Sequence, residues 1–185
     1  MKNINILYAY AGCGISGRRT SLEYISNNIV PSFDILDKAH EGWKFPWYVG
    51  NKVYNLYVSV SVFRSWLYYQ KINDVLHDAR FKPEINFLRI VDGLVFLVDS
   101  QKERMEANIE FLERTRIDLQ DLGRDSSEIP IVFQLNKRDL PNIETVEEIK
   151  QKISWPKCAF VESVATRGEG VAESLNKLLG LIKHS

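Results

Sequence analysis

Cysteine is scarce in this chain. Cys13 and Cys158 are the two in 185 residues, too few and too irregularly set to suggest a disulfide framework or a zinc site, so a reducing, cytoplasmic setting is expected. Net charge is missing as well. The 24 Lys and Arg equal the 24 Asp and Glu, so no global field draws the protein to nucleic acid or to an anionic membrane, and any phosphate it binds must be held locally. No apolar run reaches the ~18 residues that cross a bilayer, and the residues after Met1 lack the basic start and cleavage site of a secretory signal. The three histidines, His40, His77 and His184, lie far apart without ligand-spaced companions, which favours solvated or singly hydrogen-bonded imidazoles and no metal site. Repeats, low-complexity tracts and Gly/Ser linkers are also missing, so residues 1–185 read as a single domain, a size that hides roughly 70% of its unfolded surface.

What is present is a repeating order of apolar runs and helical patterns. Ile4 to Tyr10, Leu94 to Val98, Ile131 to Leu135 and Ala159 to Val161 are short and nearly continuous in hydrophobicity, as strands covered on both faces are. Helical patterns separate them, the signature of a parallel sheet with crossover helices. Between Phe45 and Phe63 the pattern changes to alternation, with Tyr54, Leu56, Val58, Val60 and Val62 on one side. That predicts a half-exposed strand, and the Gly50-Asn51 turn signal predicts a hairpin with Phe45 to Val49. Ser100 with Glu103, and Thr145 with Glu148, have capping-box spacing. After Ser100, the residues Met105, Ile109, Leu112, Leu119 and Leu122 recur at helical intervals and should face the sheet, whereas Glu103, Glu106, Glu110 and Glu113 read as a solvated face. Val171 to Ile182 predicts a last amphipathic helix. Arg64 to Ile90 reads as largely helical with a break at Pro83.

Two loops carry candidate chemistry. Gly12-Cys-Gly14-Ile-Ser-Gly17-Arg18-Arg19-Thr20 follows the first strand and precedes the amphipathic stretch Leu22 to Val30. In such a loop, glycines let backbone N–H groups curl around a phosphate, and the positive end of the next helix adds attraction. Gly12 and Gly17 have phosphate-loop spacing, but Arg18 and Arg19 stand where that motif has Lys and Ser or Thr. Alone, the loop fits a structural turn as well as a phosphate site. The second loop, Asn136-Lys137-Arg138-Asp139, ends the run Ile131 to Leu135. The Asp139 carboxylate can accept hydrogen bonds from the ring N–H and exocyclic amine of guanine, a pattern adenine does not offer. The Lys137 stem can lie across the base, and Asn136 can tie this loop to the phosphate loop. Ser163-Val164-Ala165-Thr166 follows the last strand, and by resemblance to the Ras superfamily Ala165 would be the small residue whose N–H meets the guanine carbonyl, a plain turn being the alternative.

With these motifs in place, Val91-Asp92-Gly93 through Asp99-Ser100-Gln101 to Met105-Glu-Ala-Asn108, together with Asn136-Lys-Arg-Asp139-Leu-Pro141-Asn142, resembles the bacterial MglA-type small Ras-like GTPases. The resemblance implies an α/β Ras-like P-loop fold: a mostly parallel six-stranded sheet with an antiparallel edge strand and helices on both faces. It also implies a GTP or GDP cofactor, a role in cell polarity or gliding motility, and a homodimer of the roadblock fold, MglB-like, as the first candidate partner. The departures cluster at the phosphate end. No Thr lies between Thr20 and Thr115, where the family's first switch supplies a metal-ligating Thr. Val58-Ser-Val-Ser-Val62 runs on without the Gly and Gln of the second switch, and Arg64 to Ile90 is lengthened.

These departures predict a pseudo-GTPase or hydrolysis-deficient switch that holds guanine nucleotide, accommodates magnesium poorly, and contributes no catalytic residue. The phosphates would be held by Gly12, Gly14, Gly17, Arg18, Arg19 and Thr20. Two alternatives stand beside it: an active GTPase in which Thr20 takes the metal by a one-residue slip and Arg64 or Gln70 assists, and a structural subunit without nucleotide. The aromatics Trp43, Phe45, Trp47, Tyr48, Tyr57, Trp66, Tyr68 and Tyr69 form either a local core, the default for such residues, or the surface that contacts the partner.

Overall fold

The computed structural model describes residues 4–30, 34–37, 42–59 and 87–183. Seven strands form one sheet: β1 (Ile4–Ala11), β2 (Asp34–Asp37), β3 (Gly42–Val49), β4 (Lys52–Ser59), β5 (Gly93–Asp99), β6 (Ile131–Asn136) and β7 (Cys158–Glu162). Their order is β2-β3-β4-β1-β5-β6-β7. From β4 to β7 every pairing is parallel, whereas β3 runs antiparallel to both β2 and β4. The sheet therefore has seven strands rather than the expected six, and its antiparallel strand is one place inside the edge. The extra strand, β2, is four residues long with Asp at each end. Neither length nor alternation marks it in the sequence, and its pairing is interrupted by a register shift between Ile35 and Asp37.

Among the described residues, four helices cover the two faces: α1 (Arg18–Asn28), α2 (Met105–Asp121), α3 (Val146–Lys152) and α4 (Val171–Lys183). Because side chains alternate along a strand, Leu94, Phe96 and Val98 of β5 enter one core with Met105, Leu112, Leu119 and Ile149. Val95 and Leu97 enter the other with Leu22, Ile25, Leu175 and Leu178. All seven residues of β5 and all six of β6 are buried, which explains their continuous hydrophobicity. Ile109 and Leu122 pack partly buried on the α2 side, as their spacing predicts. Among the described residues no helix is long and apolar enough to cross a membrane.

Three local expectations meet different outcomes. The Thr145–Glu148 capping box forms, with Glu148 N–H donating to Thr145 Oγ1 and Thr145 N–H donating to Glu148 Oε2. The one at Ser100 does not. Ser100 still belongs to the sheet's backbone ladder, its N–H donating to Asn136 O and its carbonyl accepting from Glu144 N–H. Its hydroxyl is buried without a hydrogen-bond partner among the described residues, and a 3-10 turn at Lys102–Arg104 leads into α2 instead. The hairpin across Gly50-Asn51 forms as β3 and β4, and β4 keeps the expected alternation at Val53 and Asn55, which are half-buried, but loses it at Tyr57, which is buried on the face opposite Tyr54, Leu56 and Val58.

Trp47 is also core rather than interface. It is 4% exposed, and its indole N–H donates to Asn176 Oδ1 on α4 at 2.9 Å. Phe45 and Tyr57 are buried with it in the sheet's flank, while Tyr48 is exposed. Burial removes these three rings from any contact surface. Trp66, Tyr68, Tyr69, Arg64, Gln70, the Pro83 break and the three histidines lie outside the described residues, as does the side chain of Trp43.

Candidate nucleotide site

In an open α/β sheet, ligands bind beyond the carboxyl ends of the strands where the strand order reverses. Here β1 lies between β4 and β5, and the chain continues from it to β2 on the far side of β4 but from β4 to β5 on the other side of β1. At that edge, β1 runs into Gly12–Gly17, β6 ends at Asn136, and β7 leads to Ser163–Ala165. A cleft of about 260 Å³ opens between them, lined by Gly17, Thr20, Asn136, Lys137, Asp139 and Ala165 among others. The two loops predicted from sequence thus meet in one cavity.

The phosphate loop owes its path to two glycines. Gly12 has φ +132°, and a Cβ there would lie 2.4 Å from Leu97 O on β5. Gly17 has φ +106°, and its Cβ would lie 2.2 Å from Asn136 Nδ2. The first lets the loop leave the sheet at close quarters. The second lets the base loop approach it. No side chain among the described residues caps α1, whose N-cap is Gly17, so this 11-residue helix presents its N-terminal positive end to the cleft mouth. Arg18 and Arg19 open α1; Arg18 is half-buried and Arg19 exposed. Burial holds the Arg18 guanidinium below its ordinary pKa, the nearby Cys13 raises it, and the like charge of Arg19 lowers it further.

Asn136 is the joint. Its Nδ2 donates to Ser16 O at 2.8 Å, and its Oδ1 accepts from Ala165 N–H at 2.9 Å and Ser163 Oγ at 3.2 Å. One buried side chain therefore fastens the phosphate loop, the base loop and the turn after β7, the first of these as expected. The Ala165 N–H is already engaged by Asn136, so a base carbonyl would share that donor. Lys137 takes a left-handed φ of 65°, and its Nζ lies 2.6 Å from Oδ2 of the fully buried Asp99. Asp139 is the base loop's exposed carboxylate, one-third accessible and 3.8 Å from Arg167 Nη1. Glu169 holds that arginine in a two-pronged pair at 2.7 and 3.2 Å. The same hydrogen bonds keep the Arg167 pKa above its usual value and that of Glu169 below.

Four contributors escaped the sequence reading. Asp99, Asn108, Arg104 and Arg167 gain their roles from neighbours distant in sequence, such as the contact of Arg104 with Gly14 across 90 positions. A charged residue ending the apolar run of β5 was the one available signal. Thr20 lines the cleft together with Asp139 and Ala165, and Gly14 is exposed at the loop's outer bend.

No family model matches the chain. Over 189 aligned residues it is 34% identical to the mutual gliding-motility protein MglA of Myxococcus xanthus (strain DK1622), a match covering 98% of this chain and 92% of that protein.

Proposed function

The chain belongs to the MglA family of Ras-like small GTPases, and from that premise we propose that it binds GTP or GDP as a pseudo-GTPase or hydrolysis-deficient switch, acting through a protein partner in a bacterial motility or polarity system. The observation that carries the reading is the Asn136 joint, which holds a glycine phosphate loop against a base loop whose exposed carboxylate is Asp139. An exposed acceptor-only group at that place suits the two adjacent donors of guanine. The residues therefore fit the nucleotide.

Magnesium fits poorly. Arg19 occupies the position where the motif supplies a hydroxyl, and a guanidinium has no acceptor for a hard cation that wants oxygen. Arg18 and Arg19 instead offer planar donors to phosphate oxygens. Thr20 lines the same cleft as Gly17, Asp139 and Ala165, one residue past the position where the motif places its hydroxyl. When bound, the nucleotide would supply the state that a partner reads, and this chain's residues would hold the base and neutralise phosphate charge without activating water. A roadblock-fold homodimer is the first partner to try, in the cytoplasm, with a footprint that excludes the buried Phe45, Trp47 and Tyr57.

Calorimetric titration of GDP against ADP tests the reading. GDP should bind at least about ten-fold more tightly, the worth of roughly 1.4 kcal/mol. Equal affinity for the two, or no binding at millimolar concentration, would refute it.

A further inference from the structure

The outer wall of the phosphate loop is gripped by an arginine that the guanine reading does not use. Arg104, in the 3-10 turn that leads into α2, sends Nη2 to Gly14 O at 3.0 Å and to Cys13 Sγ at 3.6 Å. Its Nε is buried without a hydrogen bond among the described residues but lies 3.8 Å from Asp99 Oδ2. Asn108, one turn into α2, fixes the same corner. It donates to Asp99 O at 2.8 Å, accepts from Asp99 N–H at 3.1 Å, and accepts from the Cys13 thiol at 3.3 Å.

This grip falls on the weakest part of the loop. A loop that aims its N–H groups at a phosphate must turn carbonyls outward, and an exposed carbonyl has only water unless a donor is brought to it. A Cβ at Gly14 would meet nothing within 4 Å, so packing does not restrain that residue. The next one, Ile15, is 79% exposed and held at φ +59°, a conformation that a β-branched residue adopts only when its surroundings impose it. Arg104 supplies that imposition at the adjacent carbonyl. Asp99 carries it further, because the same Oδ2 also receives Lys137 Nζ at 2.6 Å.

We infer that Arg104 is a positioning residue for the polyphosphate, holding the Gly14–Ile15 bend in its anion-binding shape, and that Asp99 links this hold to the base loop. The inference rests on the guanine-nucleotide reading above. It requires that Arg104 affect phosphate affinity without affecting the choice of base.

The test pairs hydrogen exchange of the nucleotide-free protein with GDP and ADP titrations for the parent, Arg104→Ala and Arg104→Lys. In Arg104→Ala the amides of Gly14 to Gly17 should exchange about ten-fold faster, and GDP should bind about ten-fold more weakly, the order expected for one lost charge-assisted hydrogen bond. The GDP-to-ADP ratio should stay within two-fold of the parent's. Arg104→Lys, which keeps the charge and one donor nitrogen, should recover part of both losses. Unchanged loop exchange, a GDP affinity within two-fold of the parent's, or a shift in base preference would overturn the inference. A parent that fails to prefer GDP would instead defeat the guanine reading, and the exchange arm would still decide whether Arg104 holds the loop.

Discussion

At the base end of the cleft, both polar atoms of the Asn136 side chain are committed within 3.2 Å, and Lys137 is anchored on a carboxylate with no solvent exposure. At the phosphate end, the surface is made of backbone and of two adjacent guanidiniums, Arg18 half-buried and Arg19 exposed. The base end is a side-chain mechanism in which each polar atom has specific partners. The phosphate end depends on N–H groups that nearly every residue supplies, provided that glycines allow the path. Arg18 and Arg19 there set charge and metal preference, while the loop's bend is held from outside by Arg104. The phosphate end can therefore lose its metal chemistry while the base end keeps its shape.

The largest effect expected in the chain lies outside both ends and serves as their control. Trp47→Ala should cost about 3–5 kcal/mol, as for other large aromatics removed from a core, and leaves Asn176 without its indole donor. A clear fall in melting temperature with unchanged GDP-over-ADP preference is expected; an unchanged melting temperature with a lost partner would return Trp47 to an interface role. Next comes Asn136→Ala, which strands Ser16 O and the Ala165 N–H, at about 1–3 kcal/mol for each buried group left unpaired. GDP affinity should fall roughly hundred-fold or more, and the variant should melt lower. If only base preference changes, the two ends are independent and the joint is not structural.

Asp139→Asn strikes the base end alone. Losing one charge-assisted hydrogen bond should weaken GDP binding by about 1.5–3 kcal/mol, roughly ten- to hundred-fold, and favour xanthosine diphosphate, whose carbonyl can accept from the new amide. The melting temperature should hardly move, because this carboxylate is one-third exposed and its arginine is 3.8 Å away. The smallest effect is one of pH, at a helix remote from the cleft. Hydrogen bonds from Thr145 hold the Glu148 carboxyl below its ordinary range, so its capping contribution is present above the unfolded Glu value of about 4.3 and is lost as pH falls through the lower folded value. Melting curves of the parent and Glu148→Gln should differ near neutrality and converge below that window.

The same contrast explains what could be read from sequence. Gly12, Gly17 and the Asn136 to Asp139 tetrapeptide were legible because each stands at a strand end and its chemistry is local. β1, β5, β6 and β7 were legible from their short, continuous hydrophobic runs, and β5 and β6 are buried along their whole length. Ser100 misled because capping spacing is local, whereas the reach of the β-ladder to Glu144 is not. Arg104, Asn108 and Asp99 were hidden for a related reason: their partners are assembled only when β5, α2 and the phosphate loop pack together. Trp47 was left between core and contact surface because composition marks an aromatic cluster but not which way a hairpin folds.

The central claim, that this chain holds guanine nucleotide without the means to hydrolyse it, is tested most directly by following GTP in a multiple-turnover assay with excess magnesium, beside a titration of the same sample in EDTA. Phosphate release should stay at the uncatalysed background, because Arg19 stands where the motif supplies the metal-ligating hydroxyl, while GTP affinity should survive removal of the metal. Magnesium-dependent turnover above background, or loss of binding in EDTA, would contradict the account.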